Sequence, residues 1–236
     1  MNRKSKIKNQ KPKVRKKPYK RAVVLLSGGL DSAVALYLAK DKGYKTYCLS
    51  FDYGQRHKKE IVSAEKIARK SASMWRLIHF ELPWKGSSLL DKRAAVPKNR
   101  RLDKGIPSTY VPARNIIFLS MAASYAEVIG AEAIFIGANQ IDFSGYPDCR
   151  KGFLRAFEKA LEEGTKQGAE GKGIRIHAPL LNKDKAQIVK LARRLKVPLE
   201  LTWSCYQGKP RACGVCDSCR LRSRGFAQAG ISDPAL

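Results

Sequence analysis

Long apolar runs are missing from this chain of 236 residues, although 44% of its residues are hydrophobic. No segment approaches the roughly 18 to 20 apolar residues that a membrane-spanning helix needs. No apolar stretch near the N-terminus has the form of a secretory signal either. We therefore expect a cytoplasmic protein without membrane contact, long enough for one domain with a full core and a small appendage.

Acidic residues are scarce: 20 stand against 47 lysines and arginines, which gives a formal net charge of +27. The excess is uneven, because residues 1–21 contain eleven cations and no acid. Such a block repels itself and cannot bury a core, so the sequence predicts a disordered basic arm over residues 1–21. Clustered cations can bind RNA. A solvated tail with only non-specific affinity for nucleic acid is the favoured interpretation, because Tyr19 is the arm's only aromatic residue.

Histidine and cysteine are also few, and only the cysteines are patterned. The three histidines have no ligand spacing, and Cys48 has the position of a buried strand residue. The other short-spaced cysteines follow a C-x7-C-x2-C-x2-C pattern: Cys205, Cys213, Cys216 and Cys219. In a cytosolic protein this spacing favours a closed zinc site over disulfides. An iron-sulfur cluster is the alternative, although the ferredoxin completion C-x3-C-P is absent.

The chain is organised around residues 22–32, where an apolar strand-like run ends in Ser27-Gly28-Gly29-Leu30-Asp31-Ser32 and a helix pattern follows over 30–42. The hexad is neither a Walker A loop nor a dinucleotide fingerprint. Two glycines let the backbone approach a ligand, and the first helical turn directs free N-H groups at an anion. Beside a phosphate, Asp31 would be a ligand of Mg²⁺ or of its water. An ordinary strand-to-helix turn is the alternative for a lone Gly-Gly.

Strand and helix patterns alternate along the rest of the chain. This alternation predicts a Rossmann-like α/β fold, an open and mostly parallel sheet with helices on both faces. We place the α/β domain at residues 22–198 and a C-terminal cysteine element at 199–236. The predicted strands cover 23–26, 45–51, 75–81, 133–138 and a short piece at 174–178, and the predicted helices cover 60–70, 116–129, 153–166 and 182–195.

Polar clusters follow several of these strands. Because the carboxyl ends of parallel strands converge on one edge, the clusters are expected to line one crevice. The predicted helix that begins near Arg114 is apolar nearly all round, so we expect this helix to be buried. Arg114 itself either pairs with a neighbour or holds an anionic part of a ligand. The candidate substrate-binding residues are Asp52, Tyr53, Gln55, Arg114, Asn115, Asp142, Tyr146, Asp148 and Arg150.

Two further features concern the phosphate site and the connections. Lys183 and Lys185 are placed in the first turn of the predicted helix 182–195, where cations oppose the helix dipole. That local conflict indicates that at least one of them points at a phosphate.

The connection at residues 82–107 has no clear period, and its length is typical of a lid, a substrate loop or a disordered insertion.

The hexad resembles the Ser-Gly-Gly-x-Asp-Ser loop of the ATP pyrophosphatases (the PP-loop superfamily), which split ATP into AMP and pyrophosphate. With further motifs the chain resembles, more narrowly, the family of 7-cyano-7-deazaguanine (preQ0) synthases from about residue 22 to its end. The matching segments are residues 26–32, 52–57, 110–115, 145–150 and Ser204-Cys205-Tyr206 with the three later cysteines. Two features depart from the family pattern: the basic arm, which leaves a nucleic acid partner open, and Lys151-Gly152 after Arg150, where the family has a proline and an acidic residue next to the substrate contacts.

The resemblance implies an ATP-dependent carbon-nitrogen ligase of queuosine or archaeosine precursor biosynthesis. Such an enzyme converts 7-carboxy-7-deazaguanine and ammonia into the nitrile through an adenylated acid and an amide. ATP, Mg²⁺ and Zn²⁺ are the implied cofactors, and a homodimer is expected. The implied ATP-binding residues are Leu26, Ser27, Gly28, Gly29, Leu30, Asp31 and Ser32, with Asp31, Ser32 and Lys185 as catalytic candidates.

Two functions of another class compete with this interpretation. A tRNA-modifying ATP pyrophosphatase of the thiolase or lysidine type is favoured by the charge. A thiolase normally needs a redox cysteine pair or cluster outside a structural zinc site, and the sequence offers none. A non-catalytic zinc and RNA binding module is favoured by the arm, but the Asp31 and Ser32 of the loop argue against it.

Overall fold

The computed structural model describes residues 19–84, 86–99, 105–139 and 146–235, and its centre is a five-stranded parallel sheet. The strand order is β3-β2-β1-β4-β5. β1 is the middle strand and is buried along Ala22, Val23, Val24 and Leu25, as a strand covered on both faces must be. The strands are β1 Arg21–Leu25, β2 Lys45–Asp52, β3 Met74–His79, β4 Ala133–Phe135 and β5 Arg175–His177.

Helices cover both faces of the sheet, which confirms the predicted fold class. One apolar core lies between the sheet and α1, α2, α6 and α7, and the other lies between the sheet and α3 and α4. Alternate residues of β1 supply the two cores, with Val24 in the first and Val23 in the second. The helices are α1 Leu30–Asp41, α2 Lys59–Lys70, α3 Arg114–Ile129, α4 Lys151–Gly164, α5 Lys166–Ala169, α6 Lys185–Arg194 and α7 Asp217–Ala229.

Helix α6 begins three residues later than the sequence pattern indicates. Asp184 is its N-cap and accepts the backbone N-H of Gln187, whose side chain accepts the N-H of Asp184 in return. This capping box ends the preceding turn at Asp184, because it satisfies two otherwise free N-H groups. Lys183 therefore lies outside the helix, and Lys185 is its first residue.

Helix α3 is not buried all round, contrary to the sequence prediction. Leu119, Ala122 and Ala126 face the core, whereas Val128 is 81% exposed and Ile116 is 40% exposed. Strand β4 is also shorter than predicted and ends at Phe135. In both places the apolar segment of the sequence extends beyond the part that neighbouring elements cover. Composition alone does not show where that cover ends.

The C-terminal part contains a helix that the sequence analysis did not anticipate. Helix α7 begins directly after Cys216, contains Cys219 and packs against α6, and its Phe226 is buried in the core of the α/β domain. The proposed boundary between residues 198 and 199 stays a prediction. At the other end, Arg21 opens β1, so the basic arm lies within residues 1–20, of which 1–18 fall outside the described residues.

The described parts of the 82–107 connection are fastened at several points. The Ser88 N-H donates to the Ser108 carbonyl at 2.8 Å, and Arg56 Nη2 donates to the Asp91 and Ala94 carbonyls at 2.7 and 3.0 Å. Lys98 forms an isolated bridge with Cys216, which joins the connection to the cysteine element. None of the helices in the described ranges is both long and apolar enough to cross a membrane.

Candidate active site

The carboxyl ends of β1, β2 and β4 border one cavity of about 240 Å³. The chain leaves β1 toward β2 on one side, and β4 joins β1 on the other, so the cavity lies where the strand order reverses. This is the position at which open α/β sheets bind ligands. Gly137, just after β4, is packed so closely that a Cβ there would lie 2.8 Å from the Ser32 amide nitrogen.

The loop after β1 forms one wall of the cavity. Gly28 has φ +88°, and a Cβ there would lie 2.1 Å from the Glu60 carbonyl oxygen at the start of α2. Ser32 Oγ accepts the Ser27 N-H at 3.2 Å and lies 3.1 Å from the Gly29 carbonyl. Of the predicted ATP-binding residues, those that line the cavity are Leu26, Ser27, Gly29, Leu30, Asp31 and Ser32.

Asp31 connects this loop to helix α6. Its Oδ2 accepts hydrogen bonds from Lys185 Nζ at 2.7 Å and Asn139 Nδ2 at 2.9 Å. Its Oδ1 is buried and has no hydrogen-bond partner. A buried carboxylate oxygen normally has a partner, so the free Oδ1 fits a site for a hard cation such as Mg²⁺. Lys185 also lines the cavity, and that it points at a phosphate stays a prediction.

Half-buried Arg114 and buried Tyr53 form a polar pair that also lines the cavity. Arg114 Nη1 donates to Tyr53 Oη at 3.1 Å. Burial works against a charge on Arg114, but the neighbouring tyrosine hydroxyls, that of Tyr53 above all, hold its pKa above the ordinary value. Burial raises the pKa of Tyr53. A planar cation that stays charged in a half-enclosed cavity suits a carboxylate or phosphate oxygen.

Other predicted substrate residues divide into two groups. Asn115 and Tyr146 line the same cavity as Arg114 and Tyr53. The other predicted substrate residues that the structure describes do not line the cavity. Asp52 binds Lys58 at 3.0 Å, and Gln55 bonds to the backbone of Phe51 and Tyr53. Asp148 accepts the Asn115 N-H at the start of α3, and Arg150 is the exposed N-cap of α4. Asp142 lies outside the described residues.

Asp52 has a pKa below its usual value for a local reason. Burial acts against the charge, but the Lys58 ammonium and the Gly54 N-H outweigh it. Asp148 has an equally local task, because a carboxylate on a free N-H of the first helical turn stabilises that turn. Asp52 and Asp148 therefore hold the shape of the loops around the cavity.

The four predicted zinc ligands come together at the edge of the cavity. The Sγ atoms of Cys205, Cys213, Cys216 and Cys219 all lie within 4.8 Å of one another. A tetrahedral zinc ion with Zn-S bonds of about 2.3 Å separates its sulfurs by about 3.8 Å, so the cluster fits a closed site. Hydrogen bonds from Cys216 and Cys219 lower the pKa of Cys205, and the bonds to Cys205 raise the pKa of Cys216 and Cys219 in return, so the ligand-free thiols share protons within one network.

The segment around Cys205, the first cysteine of the cluster, forms a third wall of the cavity, which sequence reasoning missed. The Trp203 N-H donates to the Gly28 carbonyl at 2.9 Å, and Lys59 Nζ lies 3.7 Å from the centre of the Trp203 ring. Buried Arg222 in α7 binds Asp233 at 2.6 and 2.8 Å and the Thr202 hydroxyl at 2.8 Å. The cavity residues from this part are Trp203, Ser204, Tyr206, Ser218, Leu221 and Arg222.

Two further cavity residues, His57 and Glu60, also escaped the list of candidates. His57 belongs to the polar cluster after β2, and Glu60 lies three residues further, in the first turn of α2. The sequence did contain a signal for this pair, because an imidazole and a carboxylate stand three positions apart at the start of a predicted helix.

The fold and the loop define the class: a parallel α/β sheet that presents a Ser-Gly-Gly-x-Asp-Ser loop at its switch point is the arrangement of the ATP pyrophosphatases. The model of the family described as queuosine biosynthesis protein QueC matches residues 21–230. The chain is also 52% identical over 221 residues to the 7-cyano-7-deazaguanine synthase of Nostoc punctiforme, covering 92% of this chain and 99% of that one. The chain belongs to the QueC family.

Other relatives agree with this assignment. The 7-cyano-7-deazaguanine synthase of Stutzerimonas stutzeri is 54% identical over 219 residues, which are 91% of this chain and 97% of that protein. Among solved structures, the NMN synthetase of Francisella tularensis superimposes with a TM-score of 0.50 at 19% identity, over 93% of this chain and 82% of that one. The structural likeness supports the fold alone.

Proposed function

We propose that this protein makes 7-cyano-7-deazaguanine from 7-carboxy-7-deazaguanine, ammonia and ATP, as an ATP-dependent ligase. The names of its relatives support the product. The observation that carries the proposal is that the phosphate-type loop and Arg114 line one cavity. ATP phosphates and the carboxylate of an acid can therefore meet there.

The first step activates the carboxylate, which is by itself a poor electrophile. Arg114, held by Tyr53, would orient the carboxylate so that one of its oxygens faces the α-phosphate of ATP. The free N-H groups at the start of α1 and the Lys185 ammonium would offset the charge that develops on the departing pyrophosphate. Asp31, Ser32 and Lys185 are the catalytic residues that we propose for this step.

The acid has a flat, polar ring system, for which Tyr146 is the better stacking partner. The Tyr53 ring is only 2% exposed and packs against Phe80 and Phe118, with centroid distances of 6.2 and 5.4 Å. Tyr146 is half-buried beside Tyr110 and lines the cavity. We therefore assign ring recognition to Tyr146 and carboxylate recognition to Arg114.

The two metals have separate tasks. Magnesium, when bound with ATP, supplies positive charge to the phosphates, and Asp31 Oδ1 is the atom that would hold it. Zinc would be structural, because four cysteines leave it no open position. Its site would hold Trp203 against the loop through the short link to Cys205.

Two partners belong to the proposal as well. We propose a homodimer and a non-specific contact between the basic arm and nucleic acid. The ten cations of residues 1–20, which include no acid, support the second.

The direct test incubates the protein with the acid, ATP, Mg²⁺ and ammonium and follows the nitrile by mass spectrometry together with AMP. We expect nitrile and AMP only when all components are present. AMP released only with tRNA and a sulfur donor would contradict the proposal and favour a tRNA-modifying enzyme.

A further inference from the structure

Ammonia poses a problem that the residues assigned so far do not solve. In neutral water it is almost entirely ammonium, which has no lone pair to attack an adenylated acid. Of the cations that line the cavity, Lys185 and Arg222 are paired with Asp31 and Asp233. Arg114 has no carboxylate partner among the ion pairs of the described residues, so its charge repels ammonium. The site therefore needs an acceptor that binds the ion and takes a proton from it.

Glu60 has the charge and the place for this task. Among the described residues that line the cavity, the acids are Asp31 and Glu60. Asp31 is engaged by Lys185 at 2.7 Å, whereas Glu60 has no lysine or arginine partner among the ion pairs of the described part of the chain. The contacts of Glu60, with His57 Nε2 at 3.2 Å and Gln55 Nε2 at 3.5 Å, both involve Oε1. Its side chain keeps 16% of its surface accessible, so Oε2 is available to a ligand.

His57 fixes the orientation of this carboxylate. Its side chain is 3% exposed, and its ring lies 5.6 Å from that of Tyr206. Nδ1 is buried and has no hydrogen-bond partner. A buried lone pair without a partner costs less than a buried N-H without one, so we place the proton of the neutral ring on Nε2, which lies 3.2 Å from Glu60 Oε1. Glu60 then remains an acceptor toward the cavity.

Glu60 also lies between the two substrate-binding walls. Its backbone carbonyl touches the phosphate-type loop, since a Cβ on Gly28 would lie 2.1 Å from that oxygen. Its carboxylate is close enough to Tyr53, the partner of Arg114, to add to the effect of burial in raising the pKa of Tyr53. An ion on Glu60 would thus be near the carbon that Arg114 and the loop present to ATP.

We propose that Glu60 binds the ammonium ion and takes its proton, with His57 as the positioning residue; this rests on the proposed function. The Glu60 carboxylate accepts one proton, and the nitrogen lone pair attacks the carbonyl carbon of the acyl adenylate. The C-N bond forms, the bond from carbon to the phosphate oxygen breaks, and AMP leaves with that electron pair. The amide nitrogen then releases its second surplus proton to water, and so does Glu60.

The second half of the reaction distinguishes an ammonium-binding role of Glu60 from a general loss of structure or activity. Conversion of the amide into the nitrile requires ATP but no ammonia, so it does not need an ammonium acceptor. For Glu60→Gln we expect the rate of amide formation from the acid to fall about 10²-fold, with a raised KM for ammonium. Conversion of supplied amide into nitrile should stay within about threefold of wild type. His57→Gln should show the same split with a smaller loss.

Hydroxylamine provides a second readout, because it is mostly uncharged at neutral pH. Glu60→Gln should form the hydroxamate from the acid at nearly the wild-type rate. The matched control is Glu65→Gln on the same helix. The Glu65 carboxylate does not line the cavity and binds exposed Arg69 at a distance of 2.6 Å, so this variant should behave as wild type in every assay.

Equal losses for acid and amide in Glu60→Gln, or an unchanged dependence on ammonium, would overturn the proposal for Glu60. Failure of the proposed function itself looks different: the wild-type protein would then convert neither the acid nor the amide.

Discussion

Gly28→Ala tests how closely the phosphate-type loop is packed. Gly28 has φ +88°, and an added Cβ would lie 2.1 Å from the Glu60 carbonyl oxygen and 2.7 Å from the Ala64 nitrogen. Both atoms belong to the backbone of the first two turns of α2, so a change of side-chain rotamer cannot relieve the clash. Either the loop or the helix must move.

Two contributions set the size of the effect. A left-handed backbone costs an L-residue about 1–2 kcal/mol, and an overpacked site typically costs about 1–3 kcal/mol. Because both arise from the same methyl group and movement relieves part of each, we expect the free energy of unfolding to fall by about 2–4 kcal/mol. Urea denaturation of the ligand-free protein measures it.

Gly29→Ala is the matched control in the same loop. Its φ is −78°, and its Cβ would meet only ordinary contacts at 3.5 Å, with Ser27 Oγ and the Trp203 carbonyl. We expect its stability to change by no more than about 1 kcal/mol. If Gly28→Ala proved as stable as Gly29→Ala, the close approach of α2 to the loop would be refuted.

The remaining predictions concern the cation site, the cysteines and the arm. Asp31→Asn should stay folded by circular dichroism but lose turnover, because it removes the charge that Lys185 and magnesium share; an active variant would refute the phosphate-site assignment. Purified protein should carry about one zinc per chain by elemental analysis, since four thiolates fill one tetrahedral site; iron would contradict this. Deleting residues 1–18 should leave turnover nearly unchanged and weaken binding to polyanions, and a collapse of turnover would assign the arm to the site.

Much of the fold could be predicted because its signals are local. The apolar run ending at Leu26 and the glycines after it identify β1, the loop and α1, and the alternation that follows identifies a parallel sheet. Helix α7 was missed because its sequence, with arginines at positions 220, 222 and 224, reads as a solvated surface. In the structure Arg222 is buried and neutralised by Asp233, a partner eleven residues away that no local pattern reveals.

The site was predictable to the extent that its residues adjoin strand ends. Asp31 and Tyr146 were predicted in this way, whereas Arg114 was predicted from its place at the start of an apolar helix, and all three line the cavity. Asp52 and Gln55 adjoin a strand end too, but their side chains serve the loop itself. Trp203 and Tyr206 reach the cavity only because the cysteine element folds back over the loop. That contact is made in three dimensions and leaves no spacing in the sequence.

The number of ATP molecules consumed per nitrile tests the central claim most directly. Taking a carboxylate to a nitrile removes two oxygens from one carbon, and each must leave as part of AMP because neither leaves unaided. The single phosphate-type loop can serve both rounds if the amide stays bound. We expect about two AMP and two pyrophosphate per nitrile from the acid, about one AMP per nitrile from supplied amide, and no ADP. Formation of ADP, or rejection of the amide, would contradict the account.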